Sequence, residues 1–354
     1  MIAADTKVIS TPITEAQNNA PVASWKQIID PVEPFLEAVA RRLAAQVADF
    51  DPDLVSYADY ALNGQGKHLR PALVALTASA LGPVSDDHVT IATIIEMVHL
   101  ATLVHDDIMD EAEIRRGQLT MAANWGNEIA VLFGDCLFAQ ALKLAASFPT
   151  PEVCRSVAIA TNTVCSGEIL QTRHKRDFQF TRERYFKVLE MKTAELFALS
   201  CELSAYLSGK SPEQRQSLRQ FGLAFGTAYQ IYDDCLDLFG TEAAAGKTLG
   251  SDLAKGKLTL PVLLLWERAT PSERVRLEKQ VQNWRKGSLN QIAELMVRYE
   301  TLNSSLEIMR GYLDRSRQSL RGLAPTHGRA SLLGLTEYLA RQTEALVPVP
   351  ASGL

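Results

Sequence analysis

Proline is missing from four long stretches of this 354-residue chain: Val84 to Phe148, Glu152 to Ser211, Glu213 to Leu260 and Ser272 to Ala324. These stretches are rich in Ala, Leu, Glu and Gln, which lose little on entering a helix, whereas an interior proline would break one. Apolar residues recur in them at three- and four-residue steps with charges between, as at Tyr185, Val188, Leu189, Leu196, Leu199, Leu203 and Tyr206. That is the stripe of an amphipathic helix. No β-type alternation of useful length appears, and no Asn-Gly or Asp-Gly hairpin between apolar runs. The expected fold class is all-α, a single large helical bundle. No linker rich in Pro, Gly or Ser divides the chain and no short-period repeat runs through it. Residues 25–354 therefore read as one all-α domain, after a mobile, aperiodic N-terminal segment over 1–24.

Charge excludes one function class. With 36 Lys+Arg against 41 Asp+Glu the net charge is −5, so nothing suggests a sequence-independent nucleic-acid binder. Five cysteines, Cys136, Cys154, Cys165, Cys201 and Cys235, stand singly and read as small buried hydrophobes in a reducing compartment. The nearest approach to an unbroken apolar run is Leu258 to Trp266, about half a membrane span, and Asp5 and Lys7 interrupt any signal-like start. A cytoplasmic location is expected.

Two acidic triplets share one spacing. Asp106, Asp107 and Asp110, and again Asp233, Asp234 and Asp237, fall at i, i+1 and i+4. On a helix the first and last stack one turn apart and the middle one lies close to the same face. Like charges so placed cost roughly a few tenths of a kcal/mol in water, and more where burial lowers the effective dielectric. A solvated acidic face would tolerate this. Apolar residues bracket both triplets, however: Leu103, Val104, Ile108 and Met109 around the first, Phe225, Tyr229, Ile231 and Leu236 around the second. The aspartates then belong at the edge of an apolar cavity, where hard oxygen donors without sulfur or imidazole suit Mg²⁺ shared with substrate phosphates.

Cations complete the constellation. Arg115 and Arg116 follow the first triplet, with Gly117 placed to end the helix; Lys247 and Lys257 follow the second; Lys67 and Arg70 stand three apart beside glycines upstream. Together they describe a site for two diphosphates, one held through metal bridges and one by direct Lys and Arg contacts.

With these motifs in this order the chain resembles the trans-type isoprenyl diphosphate synthases (polyprenyl synthetases) over about residues 28 to 345. The likeness is carried by Gly-Lys-His-Leu-Arg-Pro at 66–71, Asp-Asp-Ile-Met-Asp with Arg-Arg-Gly within 106–117, Gly-Glu-Ile-Leu-Gln at 167–171 and Lys-Thr at 192–193. Gln-Ile-Tyr-Asp-Asp-Cys-Leu-Asp at 230–237 and Gly-Lys-Thr-Leu-Gly-Ser-Asp at 246–252 complete it. The resemblance implies an isoprenoid synthase type of bundle with a central cavity. It implies a trans-polyprenyl diphosphate synthase, a transferase that condenses isopentenyl diphosphate with an allylic diphosphate after Mg-assisted ionisation. Asp106, Asp107, Asp110, Asp233, Asp234 and Asp237 would hold about three Mg²⁺ ions. Arg115, Lys192 and Lys257 would touch the allylic diphosphate, with Lys247 nearby. Lys67, Arg70, His99 and Arg116 would bind isopentenyl diphosphate, although His99 also reads as a bonded core histidine. Thr193 and Gln230 sit where the family places polar groups around the reacting carbons, and Glu168 and Gln171 support the pocket. A homodimer through packed helices is implied too, and a greasy product could draw it weakly to a membrane surface.

The chemistry explains those residue types. Breaking an allylic C–O bond leaves a carbocation and a diphosphate, and metals and Arg/Lys clamps stabilise the charge that builds on the leaving group. The proton lost afterwards can go to the departing diphosphate, so no dedicated histidine base is required.

Product length should be read one and two turns before Asp106. There stand Ala101 and Thr102, where family members that stop at farnesyl carry bulky aromatics, with Val98, Met97 and Ile94 further down. Small side chains leave the tube open, so a product longer than farnesyl is expected. Three other readings compete. A class I terpene cyclase would usually lack the second complete triplet and the Lys67/Arg70 pair. A di-iron bundle needs a second partner for Glu96-Met97-Val98-His99, and none is present. A catalytically silent regulatory subunit of a heteromeric synthase fits poorly with six intact aspartates.

Overall fold

The computed structural model describes residues 24–62, 66, 68–115, 117–245, 248–285 and 287–346. Helices follow one another from Trp25, whose helix starts at a Ser24 N-cap with Gln27 closing a capping box. Two long helices organise the rest. The first acidic helix, Asp86–Met109, is buried without a break from His88 to Val98. The second, Pro212–Phe239, starts at a Ser211 cap with proline in its first turn, where the missing N–H costs nothing. Helix Glu195–Leu207 packs against both of them, and Leu69–Leu81 joins it at the centre. The first acidic helix also packs on Asn127–Ala146, and the second on Thr301–Ser319.

Two apolar clusters result, one around each acidic helix, and they meet through Leu73, Val74 and Leu76 and through Leu196, Phe197, Leu199 and Cys201. Close packing at one seam depends on Gly222. A methyl there would sit 2.4 Å from the Phe197 carbonyl oxygen, so only glycine lets the second acidic helix approach this near.

The all-α class holds, apart from a short antiparallel ribbon formed by Ile114–Arg115 and Gln118–Leu119. Three expectations are corrected. Gly117 does not end a helix but supplies the left-handed conformation (φ +79°) in the turn of that ribbon, the helix having stopped at Met109. Only Cys201 and Cys235 are buried; Cys136 and Cys154 are half-buried, and Cys165 is exposed on the wall of a cavity beside Pro151–Arg173. Finally, Asp86–Met109 and Asn127–Ala146 are long and apolar enough by average to cross a membrane, although polar residues interrupt both. The first owes its hydropathy to the core, where 72% of its apolar window is buried; for the second the share is 39%.

Candidate active site

Both triplets occupy the C-terminal ends of their helices. Asp106 and Asp107 lie in the last turn of the first acidic helix and Asp110 is its C-cap; Asp233, Asp234 and Asp237 lie in the last two turns of the second. A helix C-terminus carries partial negative charge, so each triplet sits at the less favourable end of its dipole. Cations from elsewhere answer it. Lys257 Nζ is 2.8 Å from Asp110 Oδ2, with Lys255 Nζ 3.4 Å from the same oxygen. Arg115 Nε donates to Asp107 Oδ1 at 2.6 Å. Lys192 Nζ lies 3.6 Å from Asp106 Oδ2, contacts Glu168 Oε2 and donates to Gln171 Oε1 at 3.0 Å.

Lys192 and Thr193 stand where they do because the helix is locally unwound. Helix Arg182–Leu189 continues into Glu195–Leu207 through a π turn, Glu190–Ala194. Such single-turn insertions re-aim side chains and occur often at functional sites. Here Lys192 faces Asp106 of the first triplet, while the Thr193 hydroxyl donates to Gln230 Oε1 at 3.0 Å beside the second. Gln230 in turn donates to Asp234 at 2.9 Å and reaches Asp233 at 3.5 Å. One π turn thus addresses both acidic helices.

The inner aspartates are held by the protein. Asp234 is buried and accepts from the Tyr185 hydroxyl at 2.6 Å. Asp237, also buried, accepts from Ser251 Oγ at 2.8 Å and from the Asp252 backbone N–H at 3.2 Å. Burial raises the Asp234 carboxyl to about 8, with Asp252 adding to the rise against the hydrogen bonds from Tyr185 and Gln230. Burial likewise lifts Asp106 to about 6, Lys192 opposing and Glu168 assisting. At Asp110 burial pulls the same way, but Lys257 and Lys255 outweigh it and hold that carboxyl below its ordinary range. Burial also disfavours the charge on Lys192, yet Asp106 and Glu168 keep its ammonium above the usual lysine value. The cluster is short of positive charge.

That shortage bears on metal binding. Among the described residues no three His, Cys, Asp or Glu side chains converge as a closed metal cage. Mg²⁺ does not need one: it takes one or two carboxylates and completes its octahedron with waters and substrate phosphates. Hard oxygens on two facing helices, with Asp106, Asp110 and Asp233 only half-buried, fit that habit.

Two cavities meet at Lys192. A small cleft of about 90 Å³ is lined by Lys192, Thr193, Gln230, Asp233 and Lys257 among others. Beside it an apolar cavity of about 580 Å³ runs between Asp86–Met109, Asn127–Ala146 and Pro151–Arg173, bordered by Thr102, His105, Asp106, Phe138, Val164 and Glu168. Thr102, His105, Asp106 and Met109 form one helical face onto it. Of the residues proposed to set chain length, Thr102 borders this space. Ala101 is turned away into the apolar core, and Val98 lies one turn below Thr102, sealed in the same core. Phe138, the bulkiest apolar side chain of the lining, and Val164 were not read from sequence. For Val164 the signal was a face shared with motif residue Glu168, four residues on along the same helix; Phe138, on Asn127–Ala146, carried none.

The remaining predicted residues are partly placed. Arg70 lies over the Phe197 ring, 4.9 Å from its centroid, and His99 is half-buried on the first acidic helix. His68 adopts a left-handed conformation (φ 42°) and sets Nδ1 3.4 Å from buried Glu96, anchoring the entry to the Arg70 helix. Lys67, Arg116 and Lys247 lie outside the described residues. Tyr185, read only as core, proves to bond the site. Lys255, Ser251 and Asp252 are further site residues; the last two lie within the 246–252 motif.

Comparison with known proteins gives the family and the fold. Residues 51–297 match the polyprenyl synthetase family. The chain is 35% identical over 284 residues to octaprenyl diphosphate synthase of Escherichia coli, covering 80% of this chain and 88% of that one. Among solved structures, a decaprenyl diphosphate synthase from Rhodobacter capsulatus superposes with a TM-score of 0.84 at 30% identity, over 90% of this chain and 99% of the other. A polyprenyl synthase from Caulobacter crescentus, complexed with calcium and isoprenyl diphosphate, gives a TM-score of 0.84 at 29% identity over 91% and 98%.

Proposed function

Because the chain belongs to the polyprenyl synthetase family, we propose that its acidic cleft ionises an allylic diphosphate and the adjoining cavity receives the growing prenyl chain. The protein is a trans-polyprenyl diphosphate synthase, a chain-elongating prenyltransferase whose product is longer than farnesyl diphosphate. The observation that carries the site assignment is the π turn, which sets Lys192 against one acidic helix and Thr193 against the other.

Asp106, Asp107, Asp110, Asp233, Asp234 and Asp237 would hold Mg²⁺, about three ions, which when bound neutralise the charge accumulating on the leaving diphosphate. Lys192 and Lys257 are fixed in the cleft by carboxylates, preorganised toward the same charge, and Arg115 passes from Asp107 to the diphosphate. Lys247 lends a further cation nearby. Lys67, Arg70, Arg116 and His99 bind isopentenyl diphosphate and hold its double bond toward the allylic carbon. The allylic C–O bond breaks with its electron pair leaving on the diphosphate. The isopentenyl π electrons then form the new C–C bond, and the departing diphosphate takes the proton. Thr193 and Gln230, bonded to each other, orient polar atoms around the reacting carbons. The apolar cavity keeps water from the cation and accepts the lengthening tail.

The protein works as a homodimer in the cytoplasm. Support for the dimer is the exposed apolar surface of Asn127–Ala146 and Pro151–Arg173, where Leu132 is 62% and Ile159 58% exposed. The test of the whole reading is to incubate the protein with Mg²⁺, labelled isopentenyl diphosphate and each allylic primer, then size the dephosphorylated products. Failure to release diphosphate from isopentenyl plus farnesyl diphosphate would return the chain to the silent-subunit reading.

A further inference from the structure

A second cavity, of about 310 Å³, opens between the end of Pro151–Arg173 and Arg182–Leu189. Leu170, Phe180 and Val188 make it apolar within, while Arg173, Arg184 and Lys187 stand around it with His174. Segment 173–187 holds six Lys or Arg against two acids, in a chain whose net charge is −5. Both acids have other partners, although Asp177 also feels the Arg184 charge. Asp177 binds His174 Nδ1 at 2.7 Å and the Gln179 N–H at 2.9 Å, and Glu183 occupies the first turn of its helix, where the dipole favours it. Arg182 pairs with Glu267. Among the described residues no ion pair engages Arg173, Arg184 or Lys187.

Six cations against two acids leave an excess of positive charge, and guanidinium forks match phosphate oxygens in pairs. A concave volume at the small end of ligand pockets, which run about 300–1,000 Å³, suits a compact molecule rather than a flat surface. We propose that this pocket binds a phosphorylated anion with a short apolar tail, at a site separate from the acidic cleft. Arg173, Arg184 and Lys187 take the phosphate; Leu170, Phe180 and Val188 take the tail. His174, stacked on Phe180 with centroids 5.3 Å apart, is fixed beside them. The pocket shares Val188 with the cleft and Arg173 with the elongation cavity, so its occupant touches the walls of both. An effect on turnover as prenyl diphosphates accumulate rests on the catalytic reading above; the binding itself does not.

Calorimetric titration with geranyl diphosphate tests it. Wild-type protein should show one site more than the exposed Arg184→Gln/Lys187→Gln variant, with affinity at the lost site weakened about tenfold or more and condensation at low substrate unchanged. Inorganic diphosphate should occupy the same second site less tightly, lacking a tail. Sedimentation with phosphatidylcholine vesicles containing phosphatidylglycerol separates the other source of phosphate, a lipid headgroup, and should not distinguish variant from wild type. The same number of sites in wild type and variant, or a variant defect seen only with vesicles, overturns the proposal. Loss of the second site in a protein that fails to condense would leave the pocket standing and sink the catalytic reading.

Discussion

Lys257 Nζ lies 2.8 Å from Asp110 Oδ2, joining residues 147 positions apart in the chain. The same ammonium is 3.9 Å from Asp252, whose backbone N–H bonds Asp237. One cation therefore stands between the ends of the two acidic helices.

Replacing it should damage catalysis more than folding. In Lys257→Met, Asp110 keeps Lys255, but a preorganised positive charge disappears from the cleft. The expected fall in kcat/KM is about 10²- to 10³-fold, the usual loss for one charge-stabilising group, with little change in thermal midpoint. Steady-state kinetics beside a melting curve would show it; unchanged kinetics would remove Lys257 from the diphosphate site.

The pairing of the triplets was legible because chemistry fixed it: three carboxylates on one helical face need positive charge, and two such sets with Lys and Arg around them imply one shared anionic substrate. The helices were legible from spacing. What spacing could not show was the π turn. Leu189 and Leu196 are seven apart, which an unbroken α-helix would also satisfy, so the extra residue that turns Lys192 and Thr193 toward different helices left no periodic trace. The ribbon at Ile114–Arg115 escaped for another reason, being too short to alternate. Nor could a single helix reveal that Ala101 is aimed into the core, since that depends on where its neighbours pack.

This last point changes which substitution should shorten the product. Thr102→Phe fills the 580 Å³ cavity from its wall and should yield shorter prenyl chains at near-normal turnover. Ala101→Phe instead forces a ring into a site with 0% exposure, and should cost about 1–3 kcal/mol of stability from overpacking. Phe138→Ala should lengthen the product. Chromatography of dephosphorylated products from the three variants decides; a Thr102→Phe enzyme with the wild-type product distribution would mean that the chain grows elsewhere.

Tyr185 offers a test of the buried second triplet. Tyr185→Phe removes the donor to Asp234 without changing ring packing, and leaves an acceptor in the core unsatisfied. Stability should drop by about 1–3 kcal/mol, and because Gln230 then bonds Asp234 alone from that side, kcat should fall with it. Denaturant titration gives the first number. A variant as stable as wild type would show that water replaces the hydroxyl.

His88 makes stability pH-dependent far from the cleft. Its Nδ1 accepts from the Ser85 backbone N–H at 3.1 Å, which leaves Nε2–H to donate to the Ser204 carbonyl at 3.3 Å, tying the start of the first acidic helix to Glu195–Leu207. Burial holds the imidazole below its ordinary value of 6.5, outweighing the Ser204 carbonyl and Asp87, which both favour the charged ring. The unfolded chain therefore takes up this proton first as pH falls. The contribution of His88 is fully present above about pH 6.5 and is lost as pH drops below that toward the folded-state value. Urea midpoints should decline from pH 7 to pH 5 more steeply in the wild type than in His88→Gln, which has no proton to gain. Parallel profiles for the two proteins would show that the ring is already solvated enough to charge in the folded state.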